Sequence, residues 1–459
     1  MIGQVRYFIL LTVLVLLLPY SLAQSNEQNR KQAHTQTESL PAPGASWERL
    51  HQPSGTLIAP PQHLSQKQKL AFFSGLSFFK QPWIRSPAST TARDGLGPLF
   101  NANSCFSCHK NGGRSRSLIH HPETGTAVVR VSVTDADGLT VPHPKIGHQV
   151  QTKSIYGADG EAEISVESSN KTVEIAGVAY EVSTPTVALD GPNLHGETLH
   201  TSLRVAPTLI GLGLLESVSA ERLLALEDAD DENRDGVSGR VHWVQDPLRG
   251  RMIGRFGWKA LHATVAAQTG AAFRDDIGIT NPYFPDQPCT DAQHRCLRAN
   301  HGADPETGLE IVPELFDLTV HFTRHIPPPR AGSKSARVTQ GQELFRAVGC
   351  NQCHVPNHPT VYGEIWPYTD LLLHDMGPAL ADGRVEGDAS GTEWRTPPLW
   401  GLGTQRKISG HTELLHDGRA KNFVEAVWWH GGEAERSREA FLSLNENEIK
   451  ALRAFVGAL

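Results

Sequence analysis

The stretch NSCFSCHKNGG, residues 103–113, decides how this chain is interpreted, because a shorter copy of it, GCNQCHVPNH, follows at residues 349–358. Each copy holds two cysteines three positions apart and a histidine directly after the second cysteine. The chain has six cysteines, so most of them lie in these two motifs. The residues concerned are Cys105, Cys108 and His109 in the first copy and Cys350, Cys353 and His354 in the second.

Three kinds of site use such cysteine pairs: thiol–disulfide redox centres, zinc sites and haem attachment sites. A thioredoxin-type redox pair begins a helix directly after a strand. RDGLGPLFNANS (93–104), before the first motif, has no strand pattern, and VTQGQELFRAVG (338–349), before the second, has a helical one. A structural zinc site brings two such pairs close together in sequence, whereas these pairs are 245 residues apart. Both of these interpretations are therefore disfavoured.

Haem attachment accounts for every residue of the motif. Side chains at positions i and i+3 of a helical turn share one face, so two thiols can bond to the two vinyl groups at one edge of a porphyrin. The histidine that follows then stands below the iron as its proximal ligand, and this pattern is the attachment signal of c-type haem. We predict two covalently bound haem c groups, with His109 and His354 as proximal iron ligands.

The first residues are typical of an export signal. Arg6 gives a short positive start, YFILLTVLVLLL (7–18) is an apolar run, and small residues precede a cleavage site after Ala23. The alternative is a membrane anchor, but the run is shorter than the roughly 20 apolar residues of a spanning helix. We predict a signal peptide over residues 1–23, export to the periplasm, and no stable membrane insertion after cleavage.

The composition limits the possible partners. The net charge of −7 is mild and comes from interspersed residues of both signs, which argues against a nucleic-acid partner and against a membrane-binding patch. Glycine and proline provide 42 and 30 of the 459 residues, so much of the chain is expected to be loop. A large apolar cofactor would help to fill the core of such a chain.

The end of the chain has the pattern of a small cytochrome c domain. The predicted helix at 338–349 leads directly into the second motif, and NENEIKALRAFVGAL (445–459) has an apolar helical face. Asn445 followed by Glu448 forms a capping box at the start of this last helix. These two helices delimit a C-terminal domain over residues 336–459.

The preceding residues divide into a leader and a larger domain. The polar residues 24–60 are expected to form a flexible leader. Three consecutive prolines mark a linker at 325–337, so residues 61–335 form the N-terminal haem domain. Alternating stretches such as AVVRVSV and TVEIAGVAYEVS predict a β-rich insertion at about 126–185.

Residues 203–227 and 258–273 return to a helical pattern. The predicted fold class is therefore mainly α, with two cytochrome c-like haem domains, the N-terminal one enlarged by the β-rich insertion.

The other two cysteines, Cys289 and Cys296, lack a following histidine. In an oxidising compartment a local disulfide is the simpler interpretation, and free thiols are the alternative.

An acidic loop could hold a cation. DDENRDGVSG (230–239) places Asp231, Asn233 and Asp235 at positions 1, 3 and 5 of an EF-hand-like loop, but position 12 is His242 instead of the usual glutamate. A solvated acidic turn and a calcium site both remain open.

Several segments, spread in order over about residues 65–459, carry a resemblance to a known family. They are GPLFNANSCFSCH, LRVAPTLIGLGLLE, DGVSGR, GRFGWKA, DIGITNP, HDMGPALADG, RTPPLWGLG and LLHDGRAKNFVEAVWWHGGEA. With them the chain resembles the bacterial di-haem cytochrome c peroxidase superfamily, which includes the MauG enzymes. It is more closely similar to the di-haem oxidoreductase branch, often labelled thiol oxidoreductase-like.

This resemblance implies two cytochrome c-like domains with one haem each and a tryptophan near their interface, which Trp258 matches. Gln268, ten residues on, matches a glutamine of the same pattern. The peroxidases have a glutamate beside the peroxide site near the end of this helix. The nearest acids here are Asp275 and Asp276, and Asp276 is the candidate catalytic acid, although a solvated pair of acids is the commoner arrangement.

The resemblance also bears on the sixth iron ligands. His430 occupies the place of the axial methionine of the peroxidases, and Met376 is the competing ligand of the C-terminal haem. His416 is expected to be a turn residue that hydrogen-bonds locally. His195 and His200 lie where the peroxidases place a distal histidine, and neither is favoured over a surface role.

Two functions remain from these observations. The first is a periplasmic di-haem oxidoreductase of peroxidase type, in which the C-terminal haem relays electrons to a substrate-binding N-terminal haem. The resemblance implies a small redox donor such as a cytochrome c or a cupredoxin. The second is an electron-transfer cytochrome with no substrate chemistry of its own. A weaker third is a MauG-like enzyme that oxidises a partner protein.

Overall fold

The computed structural model describes residues 40–47, 56–155, 160–194 and 198–459. The predicted signal peptide, most of the predicted leader and His195 lie outside the described residues.

The helices are of very unequal length. They are α1 Gln66–Lys80, α2 Cys105–Cys108, α3 Leu212–Glu216, α4 Ala220–Leu224, α5 Val265–Ile277, α6 His294–Leu297, α7 Pro313–Arg324, α8 Ala336–Ala347, α9 Gln405–Ser409, α10 Phe423–Trp428, α11 Glu435–Leu442 and α12 Glu446–Val456. Apart from α1, α5, α7, α8 and α12, most helices are single turns. Short helices suit a chain rich in glycine and proline.

The strands form several small antiparallel sheets. They are β1 Leu99–Phe100, β2 Ala127–Thr134, β3 Thr140–Val141, β4 Lys153–Ser154, β5 Glu163–Ile175, β6 Val178–Asp190, β7 Leu199–Val205, β8 Trp243–Asp246, β9 Gly250–Ile253, β10 His358–Thr360, β11 Gly363–Ile365, β12 Leu373–Asp375 and β13 Glu393–Arg395. The pairs are β1 with β4, β5 with β6, β8 with β9, β10 with β11 and β12 with β13, and β3-β2-β7 form a three-stranded sheet.

The prediction of a mainly α fold is wrong, because 28% of the residues are helical and 20% lie in strands. One cause is that the β-rich part extends to Val205, beyond the expected end near residue 185. A second cause is that the region expected to be helical from residue 203 contains only the short helices α3 and α4. A third cause is that the C-terminal part contains two ribbons of its own, β10–β11 and β12–β13.

The sheet of the insertion has a defined register. In it, β2 pairs with β7 from Ala127 opposite Val205 to Val133 opposite Leu199. The β5–β6 hairpin turns at Ala176 and Gly177, which both have positive φ, as the tight turn between paired strands requires. Val129 and Val131 are fully buried on one face of β2, and Arg130 between them therefore lies on the opposite face.

The same arrangement of helices surrounds each motif. Helix α1 crosses α7, and α8 crosses α12. A Cβ on Gly75 of α1 would lie 2.0 Å from the carbonyl oxygen of Leu318, and a Cβ on Gly341 of α8 would lie 2.1 Å from that of Ala451. Both crossings therefore depend on a glycine that lets two backbones touch.

An aromatic ring four residues after each glycine repeats this correspondence. The Phe79 ring lies 6.4 Å from that of His109, and the Phe345 ring lies 6.5 Å from that of His354. The two halves of the chain thus place one motif histidine each against a phenylalanine of the leading helix. This repeat supports a division of the chain into two haem-binding units.

The last helix begins as predicted, since the side chains of Asn445 and Glu448 form a capping box. The described parts of the predicted leader differ from the expectation of flexibility. Leu40 and Trp47 are buried, and the Trp47 indole stacks on His325 with 5.3 Å between ring centroids. These apolar residues in an otherwise polar segment pack against both halves of the chain.

Within the described residues, every helix falls short of the length and apolar character that crossing a bilayer requires.

Candidate functional site

One internal cavity is lined by residues of both motifs. Its wall includes Cys105, Cys108, His109, Cys350, Cys353 and His354. Unlike Cys289 and Cys296, these four cysteines form no disulfide. The structure therefore brings together two motifs that are far apart in the sequence.

The first motif is a single helical turn. The Ser104 hydroxyl caps it by accepting a hydrogen bond from the backbone N–H of Ser107 at 3.3 Å. The His109 N–H donates to the Cys105 carbonyl oxygen at 2.9 Å. This turn gives the two thiols and the imidazole the spacing that covalent haem attachment needs.

The second motif repeats this turn. Gly349, with φ of 85°, starts it, and the His354 N–H donates to the Cys350 carbonyl oxygen at 2.9 Å. The His354 Nδ1 lies 3.0 Å from the Tyr368 carbonyl oxygen. An Nδ1–H donated to this carbonyl leaves Nε2 with its lone pair for a metal, the usual arrangement of a histidine ligand.

Burial keeps the motif side chains neutral. It raises the pKa of Cys105, Cys108 and Cys350 to about 12, which argues against a redox-active thiolate at these positions. Burial also lowers the pKa of His109 and His354 to about 4. Neutral imidazoles beside unreactive thiols suit haem attachment better than thiol chemistry.

The two candidates for the sixth ligand of the C-terminal haem both line the cavity. The His430 Nδ1 lies 2.7 Å from the Ala426 carbonyl oxygen, which leaves its Nε2 as the metal-binding nitrogen. Burial lowers the pKa of His430, and His430 in turn lowers that of His354. Met376 is held through its backbone N–H, which donates to the Thr392 carbonyl oxygen at 3.1 Å.

Trp258 lies in the cavity wall with two other aromatic rings. Its Nε1–H donates to the Val205 carbonyl oxygen at 2.9 Å. The His416 imidazole meets its ring edge-on at 6.5 Å and stacks on Trp394 at 3.8 Å. His416 therefore makes ring contacts beyond its own turn, and burial lowers its pKa to about 3.

The acids at the end of α5 have separate environments. The Asp275 carboxylate lies 3.1 Å from the His148 imidazole and 2.7 Å from the Arg274 guanidinium, and these two contacts hold its pKa well below its usual range. Asp276 lines the cavity, and burial raises its pKa to about 6 even though Gln149 donates to its Oδ1 at 2.9 Å. Asp275 is buried and paired, whereas Asp276 is half-buried in the cavity wall and has the properties of a proton donor.

Gln268 lies on the same helix and also lines the cavity. Its side-chain oxygen is buried and has no hydrogen-bond partner among the described residues. A buried amide oxygen without a partner is costly, so this group is available to a bound molecule.

Buried guanidinium groups in the wall fit a haem with its two propionates. Arg114 donates to the Leu415 carbonyl oxygen, and Arg395 donates to the carbonyl oxygens of Gly257 and Thr396, both at 3.0 Å. In the described residues neither makes an ion pair with a carboxylate, and burial lowers the pKa of each to about 10. Such cations favour an anionic guest.

Hydrogen bonds within the acidic loop fix its shape. The carboxylate of Asp231 accepts from the Gly236 N–H, the side-chain amide oxygen of Asn233 accepts from the Asp235 N–H, and the carboxylate of Asp235 accepts from the Val237 N–H. His242 is buried, with Nδ1 2.7 Å from the Lys259 carbonyl oxygen. The residue at position 12 therefore points away from the loop.

Cys289 and Cys296 are bonded to each other, with 5.8 Å between their Cα atoms. They do not line the cavity among the described residues.

Sequence reasoning missed Arg130, His262 and Trp394, which all line the cavity. A charge between the valines of AVVRVSV was an available signal for Arg130, because its neighbours face the core. Nothing in the local sequence distinguishes His262 among the 22 histidines of the chain.

One comparison with known proteins agrees with a haem site. A family model described as "Di-haem oxidoreductase, putative peroxidase" matches residues 154–459, which contain the second motif. The search of curated proteins gives no match. A solved chain of Kuenenia stuttgartiensis hydrazine synthase pressurised with xenon is 14% identical, with 91% of this chain and 96% of that chain covered, at a TM-score of 0.31, too low to support an argument. Because the family model covers well over half of its length, the chain belongs to the di-haem oxidoreductase family.

Proposed function

We propose that this protein is an exported, periplasmic di-haem c-type cytochrome oxidoreductase of peroxidase type. When bound, the haem held at the second motif would serve as an electron relay, and the haem held at the first motif would provide the site at which hydrogen peroxide is reduced. The observation that carries this proposal is the single cavity, which joins two motifs with unlike surroundings.

The chain's own residues would hold both cofactors. Two thioethers and one proximal histidine attach each haem, from Cys105, Cys108 and His109 and from Cys350, Cys353 and His354. When bound, the haems supply one-electron redox chemistry and a metal site for peroxide. Arg114 and Arg395 neutralise propionate charge within the cavity.

The surroundings of His354 suit an electron relay. His430 provides a second imidazole whose Nδ1 is anchored on a backbone carbonyl, so it can serve as a fixed ligand. Two histidine ligands give a lower potential than a histidine and a methionine, and Met376 remains the alternative. A site with both positions filled transfers electrons without binding substrate.

The surroundings of His109 suit substrate chemistry. Asp276 has a pKa near 6 in the cavity wall, close to the value that efficient proton donors have at neutral pH. Gln268 offers a side-chain oxygen without a protein partner. These groups could orient peroxide and supply a proton to the oxygen that leaves as water.

The aromatic group of Trp258, His416 and Trp394 supports electron transfer through the shared cavity wall. The centroids of the Trp258 and His416 rings lie 6.5 Å apart, and those of the His416 and Trp394 rings lie 3.8 Å apart. The electrons would come from a small redox protein such as a cytochrome c or a cupredoxin. The export signal and the thioether linkages both belong to the periplasm.

The proposal is tested by electron paramagnetic resonance of the half-reduced holoprotein before and after peroxide is added. We expect one high-spin ferric haem that reacts with peroxide. Two low-spin irons that neither reduction nor peroxide changes would contradict it and would favour an electron-transfer cytochrome without its own substrate.

A further inference from the structure

His262 is a half-buried histidine of the cavity wall that the preceding mechanism does not use. It lies in the turn before α5, where its carbonyl oxygen accepts hydrogen bonds from the N–H groups of Arg255 and Phe256, both at 2.9 Å. Its ring meets that of Phe284 edge-on at 6.4 Å. The backbone is therefore fixed while the imidazole makes no hydrogen bond to another described residue.

The charged groups around His262 come from three segments. They are Arg130 on β2, Arg274 and Asp275 on α5, and Glu386 in the loop before β13. Burial is the main cause that lowers the pKa of His262 to about 4, and Arg130 is the next. The imidazole is therefore neutral at physiological pH and can accept a proton.

Arg130 links His262 to Asp276. Arg130, His262 and Asp276 all line the cavity, and the charge of Arg130 lowers the pKa of the other two residues. The Arg130 Nη2 is 3.7 Å from the Asp275 carboxylate, and Asp275 together with Gln149 and His148 also acts on Asp276. The β-rich insertion thus contributes a cation to the pocket beside the first motif.

The other histidines near this end of the cavity are already engaged. His148 pairs with Asp275 at 3.1 Å, His416 stacks on Trp394, and His109 belongs to the motif. His262 is therefore the imidazole that remains available to a small molecule.

We propose that His262 is the catalytic base of the N-terminal haem pocket and that Arg130 positions the substrate beside it. The inference rests on the proposed peroxidase function. His262 takes a proton from one oxygen of hydrogen peroxide, and Asp276 gives a proton to the other oxygen as the O–O bond breaks. Two one-electron protein donors then supply one electron each, and the proton held by His262 and one proton from solvent complete the second water. One peroxide, two electrons and two protons thus give two molecules of water.

Cyanide tests the base without peroxide turnover. Hydrogen cyanide must lose its proton when it binds ferric haem, so a neighbouring base accelerates binding. In the half-reduced holoprotein we expect His262→Gln to slow cyanide association near neutral pH by about 100-fold. The difference should vanish at alkaline pH, where cyanide is already an anion.

The matched control is His325→Gln. Burial lowers the pKa of His325 to about 4 as well, but this residue stacks on Trp47 and does not line the cavity. Its cyanide association rate should equal that of the wild type. His262→Asn serves as a second variant if His262→Gln loses haem or fails to fold.

The outcomes separate the inference from the proposed function. Equal cyanide rates in wild type and both His262 variants would overturn the inference. A change from a low-spin to a high-spin N-terminal haem in His262→Gln, with faster binding, would make His262 an iron ligand and would also overturn it. A slowed rate in a protein that reduces no peroxide would uphold the base and contradict only the peroxidase function. Wild-type holoprotein that binds no cyanide would contradict both.

Discussion

The imidazole of His416 lies parallel to the indole of Trp394, with 3.8 Å between their ring centroids and 9° between their planes. Lys259 Nζ lies 4.7 Å from the centroid of the Trp394 ring, and the Arg204 guanidinium lies 5.3 Å from it. These cations and the stack fix the ring in the wall of the cavity. The two rings join parts of the C-terminal half that are 22 residues apart in the sequence.

Replacing Trp394 with Leu should slow electron transfer between the haems, because it removes the ring on which His416 stacks. It should also cost about 2 kcal/mol of unfolding free energy, since a large buried side chain is shortened. Stopped-flow reduction that follows the absorbance of each haem measures the transfer. Trp394→Phe keeps an aromatic ring and is the control, and equal transfer rates in wild type and Trp394→Leu would contradict the role of the stack.

Gly341→Ala should destabilise the C-terminal unit by about 1–3 kcal/mol, the usual effect of overpacking. The added Cβ would lie 2.1 Å from the Ala451 carbonyl oxygen, so α8 and α12 must move apart. Denaturant unfolding followed by haem absorbance measures this change. Glu343→Ala, at an exposed position of the same helix, should have little effect, and an equal loss in both variants would argue against the close crossing.

The motifs could be predicted from sequence because their chemistry is local. One helical turn fixes the geometry of Cys105, Cys108 and His109, and the same turn recurs at Cys350. The fold class could not be predicted in this way. Strands such as β10–β13 are three residues long, and such ribbons form through pairing partners that short windows of sequence do not show.

The cavity wall depends on contacts between distant parts of the chain. Arg130 reaches the pocket from β2, where its charge between two valines was a local signal, whereas Trp394 meets His416 across a loop and has no such signal. Trp258, Gln268 and Asp276 were indicated through family resemblance, which carries information about tertiary position that spacing alone lacks. The ring contacts of His416 lie outside its own turn, so the sequence of that turn does not show them.

The contributions of Asp276 and Asp275 to the free energy of unfolding should change with pH in opposite directions. The folded protein raises the pKa of Asp276 from 3.8 to about 6, so its contribution to stability is present below about pH 4 and is lost as pH rises through about 6. Asp276→Asn should therefore gain up to about 3 kcal/mol relative to wild type at pH 7.5 and little at pH 4. Unfolding free energies at both pH values measure this.

Asp275→Asn is the matched comparison. The pKa of Asp275 is lowered in the folded protein, so its stabilisation is present above the unfolded value of 3.8 and is lost as pH falls. Removing this partner of Arg274 should cost about 3 kcal/mol at pH 7.5. Parallel pH profiles for the two variants would show that the environments of the two acids are not distinct.

Peroxide reduction should depend on the protonated form of Asp276. The kcat/KM of the protein for hydrogen peroxide should decline as pH rises through about 6, because the Asp276 carboxyl loses the proton that it donates. Asp276→Asn should lower kcat/KM by about 100-fold and abolish this decline. An unchanged profile in Asp276→Asn would assign the proton to another group.

His430→Ala should change the spectrum of the C-terminal haem from low-spin to high-spin, because the anchored imidazole would no longer bind the iron. Met376→Ala should leave that spectrum as it is. The reverse result would make Met376 the ligand and would raise the expected potential of this haem.

Removing the anchoring thiols should separate covalent from non-covalent haem. Cys350→Ala combined with Cys353→Ala should leave only the N-terminal haem on the chain after denaturation, since each motif attaches its own cofactor through its own thiols. Denaturing electrophoresis with haem staining and the mass of the intact chain both report the number of attached haems. Cys289→Ala combined with Cys296→Ala removes the same number of cysteines and should keep both haems. Loss of haem from that control, or two haems on the chain without Cys350 and Cys353, would contradict attachment at the motifs.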